Sequence, residues 1–204
     1  MIQNQKIREE IDAVDWNNFE SVIDFYERNA LYFENISKHR EGEEIEELAN
    51  IQISYILALE KKRHYSKASK LLQQVETLFN KLKDSPSFDK VNERYIFASG
   101  VIAQRLKKYE DSQNYFTKLI KIDPDNDLYK NWYESNKDWL CHQKLKIVGY
   151  IGTAILFGSI LFGDAIELSR DLKLKLDIIA IILIVGGFYG HQIIRHIKRL
   201  DKKK

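Results

Sequence analysis

At 204 residues and 24.1 kDa, with 30% charged and 44% hydrophobic residues, the chain is long enough for one small domain plus a membrane segment and too apolar for wholesale disorder. Its single cysteine, Cys141, excludes an internal disulfide and a zinc site built from several thiolates. The net charge of +2 is unevenly placed: from Arg195 onward six Lys or Arg face only Asp201, so the rest is acidic on balance and offers no basic face for nucleic acid.

The first 145 residues hold few Gly or Pro, which predicts long helices rather than strands. Met1–Glu10 is polar without an apolar run, so no secretory signal is expected there. A helix is expected around Ile2–Val14, and after Trp16 another over Asn17–Phe33. Glu41, Glu43, Glu44, Glu46 and Glu47 read as a solvated helix start favoured by the helix dipole. Glu43–Lys62 then spaces Ile45, Leu48, Ala49, Ile53, Ile56 and Leu57 three and four apart, and Ser66–Leu82 repeats the pattern from Ala68 to Leu82. Pro86 and Ser87 punctuate the chain and start a helix that runs to about Lys108. Tyr109–Ile122 is amphipathic again and is stopped by Asp123-Pro124-Asp125-Asn126. Asp127–Lys146, with Tyr129, Trp132, Tyr133 and Trp139, reads as a capping helix able to run straight into the next segment.

Residues Glu93–Asn126 resemble a tetratricopeptide repeat. Gly100 takes the place of the motif glycine in the first helix, and Tyr109 that of the aromatic after the turn. Ser112 stands for the small alanine, Phe116 for the next aromatic, and Asp123–Asn126 for the closing Asp-Pro-Asn-Asn. Ile96, Ser99, Ala103 and Leu119 depart from the motif. Tyr65-Ser66-Lys67-Ala68 with Leu72 repeats it more weakly, and Trp16 with the helix Asn17–Phe33 stands as the second helix of a still more degenerate unit. The aromatics Trp16, Tyr65 and Tyr109 are 49 and 44 residues apart, longer than the family's spacing of about 34. The expected units cover about 1–40, 43–84 and 87–126, with a cap at 127–145.

The resemblance implies a short helical-hairpin solenoid whose first helices line a concave groove. Its groove residues would be Ile53 and Leu57 in one unit and Arg94, Phe97, Val101 and Arg105 in the next, with Asn50 and Ser54 alongside. Apolar Ile53, Leu57, Phe97 and Val101 do not suit the family's carboxylate clamp. They suit a helix or an extended apolar peptide from a protein partner, or the chain's own helix around Ile2–Val14.

Two uncharged runs come next. Ile147–Gly163 and Ile178–Ile194 are 17 residues each, and their Ile, Val, Leu and Phe contribute roughly −3 to −6 kcal/mol of insertion free energy per run. They are read as membrane spans within a hairpin over 146–195, with the loop at 164–177 and a basic tail at 196–204; the alternative is a pair of buried core helices. Ten bases flank the hairpin on its outer sides, from Lys130 to Lys146 and from Arg195 to Lys204, against Arg170, Lys173 and Lys175 in the loop. Both termini are therefore expected in the cytoplasm, by preference at a bacterial inner membrane, with lipid contact from the lysine tail. Ala154 and Gly158, and Gly186 and Gly190, are four apart, a spacing that lets helices approach within the hairpin, in a homo-oligomer or against another membrane protein.

Catalytic chemistry is not expected. There is no phosphate-cradling loop, no HExxH and no paired-cysteine metal motif, and no metal or cofactor is implied. His191 and His196 lie near the expected boundary, and Cys141-His142 are adjacent on a helix and so do not face each other. The sequence thus reads as all-α: a TPR-like solenoid followed by a transmembrane hairpin, acting as a membrane-anchored adaptor. The alternative is a membrane-acting effector whose helical domain controls oligomerisation or permeabilisation by the hairpin.

Overall fold

The computed structural model describes residues 5–39, 42–82, 88–163 and 169–201, and among these every regular element is a helix. The helices are α1 (Gln5–Ala13), α2 (Phe19–Arg28), α3 (Ala30–His39), α4 (Glu43–Lys61), α5 (Tyr65–Leu82), α6 (Phe88–Arg105), α7 (Tyr109–Ile122), α8 (Asp127–Phe162) and α9 (Arg170–Asp201). They fall into two compact units, Met1–Asn136 and Lys137–Lys204, with the division nine residues before the expected boundary at 145. Pro86 and Ser87 lie outside the described residues, as do residues 164–168 of the expected loop at 164–177; from Arg170 to Asp177 that expected loop is instead the start of α9.

In the N-terminal unit α4 is the centre. Helices α2, α3, α5 and α6 all pack on it. Ile45, Leu48, Ala49, Ile53, Tyr55, Ile56 and Leu59 are buried, so apolar residues occupy most of its circumference. Aromatic rings knit the neighbours together: Tyr26 stacks on Tyr55 at 4.1 Å and on Phe33 at 5.2 Å. A smaller cluster of Ile96, Val101, Phe116, Leu119 and Tyr129 joins α6 and α7 to the start of α8.

The expected single helix over Asn17–Phe33 is two helices. Asn18 caps α2 by accepting from the backbone N–H of Glu20 and Ser21. Asn29 ends it: its side-chain amide donates to the Phe25 carbonyl and to Glu10 on α1, a local alternative to the helical ladder.

Hairpins α4–α5 and α6–α7 turn in the same way 44 residues apart. In the first, the His64 N–H donates to Leu59 O and the Arg63 N–H to Glu60 O; in the second, Lys108 and Lys107 donate to Ala103 O and Gln104 O. This is a Schellman ending, which favours glycine at its left-handed position. Here that position is filled by Arg63 (φ 64°) and Lys107 (φ 62°). A left-handed non-glycine residue costs about 1–2 kcal/mol, partly offset by glycine's freedom when unfolded. Arg63→Gly or Lys107→Gly should therefore raise stability by about 0.5–1 kcal/mol in a urea melt, while Arg63→Val should lower it.

Burial pushes the hydroxyls of Tyr55 and Tyr95 up to about 12. Tyr55 also donates to Glu27 Oε1 at 2.8 Å. Because the folded values lie above the unfolded value, their contribution is complete below pH about 10 and is lost as pH rises toward 12. Stability should be insensitive to these groups below pH 10 and fall above it. In a tyrosinate absorbance titration, Tyr55→Phe and Tyr95→Phe should each shrink the late step.

Candidate docking groove

One face of α4 carries Glu43, Glu46, Glu47, Asn50, Ile51, Ser54, Leu57 and Ala58, which recur three and four residues apart. That face forms the floor of an open cavity of about 820 Å³. Ile11 of α1, Trp16 before α2, and Phe19 and Val22 of α2 build one wall; Arg94 of α6 closes the other. Trp16 and Phe19 are each 40% exposed, unusual for rings of this size in a packed domain.

Arg94 is held by neutral partners. It donates to Asn50 Oδ1 and, at 3.0 Å, to Ser54 Oγ, while burial lowers its pKa from the ordinary arginine value. Three carboxylates thus line the end of the groove at the start of α4, with one guanidinium partway along.

The expected groove residues separate. Leu57 and Arg94 line the cavity with Asn50 and Ser54, whereas Ile53 is wholly buried. Val101 lies in the smaller core cluster, and Phe97 packs beside it with its ring 5.8 Å from Tyr129 and 6.2 Å from Trp132. Arg105 donates to Glu60 Oε1 at 2.6 Å and sits 5.5 Å over the Trp132 ring. The first turns of α8 therefore cover the stretch of α6 that the resemblance assigns to the groove. Further bonds fasten them: Asn136 donates to Tyr109 O and to Gln113 Oε1, both at 2.8 Å, and the Tyr129 hydroxyl donates to Glu93 at 2.6 Å. Burial, then Glu93, holds the Tyr129 pKa above its ordinary value.

The residues the resemblance rests on do meet. Ser112 Oγ donates to Gly100 O at 2.9 Å, and a Cβ on Gly100 would stand 3.0 Å from the Phe116 ring. Sequence reasoning missed Ile11, Trp16, Phe19 and Val22 as groove walls, while the glutamates expected to start a helix do open α4, with Glu43, Glu44 and Glu46 in its first turn. The only available signal was an aromatic pair, Trp16 and Phe19, beside a helix with acids at its first turn.

In the C-terminal unit α8 and α9 run antiparallel. Among the described residues α8 is the one helix long and apolar enough to cross a membrane, with a mean hydropathy of 1.8 over its most apolar window. It is continuous with the expected capping helix. The close approach falls on other small residues than the spacing suggested. A Cβ on Gly187 would lie 2.1 Å from Gly149 N, and one on Gly152 would lie 2.7 Å from Leu183 Cβ. Gly158 and Gly186 face open space, Ala154 is exposed, and Gly190 meets only Leu145 at 3.7 Å or more. His191 neighbours His142, with ring centroids 4.8 Å apart.

Comparison with family models, curated proteins and solved structures finds no match to this chain.

Forcing a side chain into a packed contact costs about 1–3 kcal/mol. Gly187→Leu should therefore lower the thermal midpoint of the detergent-solubilised protein, followed by helical circular dichroism, while Gly186→Leu should leave it in place.

Proposed function

We propose that the chain is a membrane-anchored, TPR-like adaptor that docks a protein partner in the α4 groove. The observation that carries this reading is the groove itself: an open cavity of about 820 Å³ with exposed aromatic rings on its wall and a guanidinium bound to neutral partners. Its size is typical of binding sites, and its lining sets seven apolar residues beside six polar or charged ones. The repeat reading is supported by the two hairpins with matching turns and by the meeting of Gly100, Ser112 and Phe116. In this proposal α8 and α9 form a two-span hairpin in, by preference, a bacterial inner membrane, with both termini in the cytoplasm. The antiparallel contact through Gly149, Gly152 and Gly187 and the flanking bases support it.

A photo-crosslinking residue placed at Phe19 in cells should trap one distinct protein in near-stoichiometric amount, and Leu57→Glu in the same chain should abolish the product. Leu57 is the suitable position because Phe97 is packed against the chain's own Tyr129 and Trp132. Absence of any groove-dependent product would overturn the adaptor reading. A second reading, the oligomerising membrane effector, draws on the outward-facing Ala154, Gly158 and Gly186. Self-crosslinks alone, with depolarisation on expression that disappears when residues 147–194 are deleted, would favour it.

A further inference from the structure

The geometry points to a divalent transition-metal site at one end of the C-terminal hairpin, where His142 of α8 and His191 of α9 ligate an ion such as Zn(II) or Cu(II) between the two helices. This site stands apart from the docking groove and from whatever occupies it.

The helix contact delivers both imidazoles to one place. Along α8, His142, Leu145, Gly149 and Gly152 recur three and four residues apart, and along α9 Ile184, Gly187 and His191 do the same, so each set shares one helix face. Glycine makes the contact close: a Cβ on Gly187 would collide with Gly149, and one on Gly190 would reach the Leu145 side chain. Two turns before Gly149 and one turn after Gly187 the same faces carry His142 and His191. Their ring centroids lie 4.8 Å apart, with the planes tilted by 48°.

That separation suits a shared ion. An imidazole nitrogen binds such a metal at about 2.0–2.1 Å, which sets the ring centre roughly 3.2 Å from it. Two rings meeting at one ion with an angle of about 90–110° then have centres about 4.5–5.2 Å apart, a range that includes the observed value. The donors agree with the distance. His191 Nε2 is buried and has no hydrogen-bond partner among the described residues, a costly state that a metal bond relieves. His142 has contacts of its own, the Trp139 ring among them at 5.8 Å. Such contacts are compatible with ligation, because an imidazole has two nitrogens and a ligating one customarily holds a partner on the other.

Imidazole suits Zn(II), Cu(II) and Ni(II) rather than Mg(II) or Ca(II), with Cu(II) held most tightly. Among the described residues no group of three His, Cys, Asp or Glu side chains gathers to hold a metal, so the protein supplies two ligands here and water fills the other positions. A site of this kind exchanges its ion with the medium, and while filled it ties α8 to α9.

The test uses the full chain in detergent, purified without a polyhistidine tag and carrying Cys141→Ser so that the exposed thiol takes no metal. Equilibrium dialysis against Zn(II), with Mg(II) as the blank, should find one zinc per chain, and zinc should raise the thermal midpoint by about 2–4 °C. His142→Gln and His191→Gln should each weaken uptake at least about tenfold and abolish the midpoint shift, while His196→Gln should change neither. Pulsed electron paramagnetic resonance of the Cu(II)-loaded chain, with every histidine in place, should count two imidazoles on the ion; this readout serves where a histidine variant does not fold. Zinc uptake no greater than magnesium uptake would overturn the site. So would uptake unchanged in both histidine variants, which puts the metal on other side chains, and so would copper bound through one imidazole or none.

Discussion

Helix α4 is apolar around most of its circumference, and covering it is the constraint that shapes the N-terminal unit. Residues such as Ile45, Ile51, Ile53, Tyr55 and Leu59 point in different directions around a helix of 3.6 residues per turn, and no single neighbour can bury them all. Helices α2, α3, α5 and α6 share the work. One strip is left partly uncovered, and there the chain places Glu43, Glu46, Glu47, Asn50 and Ser54, which tolerate water. The groove is the strip that the covering helices leave behind, and its polar residues let it stay open.

The second hairpin meets the same problem with a different outcome. Its turn repeats that of the first, but the position 44 residues after the groove-lining Leu57 is Val101, which is covered by the chain itself together with Phe97. Tyr129 and Trp132 supply the covering rings, and Asn136 fastens the same helix to α7 by two hydrogen bonds. A structurally similar pair of hairpins thus has one open face and one closed face. The difference lies in the aromatic start of α8 rather than in the hairpins themselves.

Much of this was legible in sequence, and the misses have physical reasons. Tyr109–Ile122 ends where its caps said it would, because Pro124 and the surrounding Asp and Asn residues leave the backbone few alternatives. Glu43–Lys61 and Tyr65–Leu82 were readable from periodicity alone. The break at Asn29 was not, because it depends on Glu10 arriving from another helix, a contact that local sequence does not encode. The groove was half legible. The repeat resemblance put Asn50, Ser54 and Leu57 in the groove, but only tertiary packing brings Phe19 and Trp16 to it and removes Ile53, Phe97 and Val101. The same holds for the glycines: a four-residue spacing occurs at several places, and packing selects Gly149, Gly152 and Gly187 over Gly158 and Gly186.

The placement of Trp16 has an optical consequence. The chain has three tryptophans, and the other two, Trp132 and Trp139, both belong to α8 and are not among the residues lining the cavity. Trp16 is partly wet, with its ring edge-on to Phe25 at 6.1 Å. An indole in that position changes its emission wavelength when water around it is displaced, so the unlabelled protein carries its own reporter of whether the groove is filled. With Trp132 and Trp139 replaced by phenylalanine, occupancy becomes a single-residue colour shift, readable without labelling and without touching the groove.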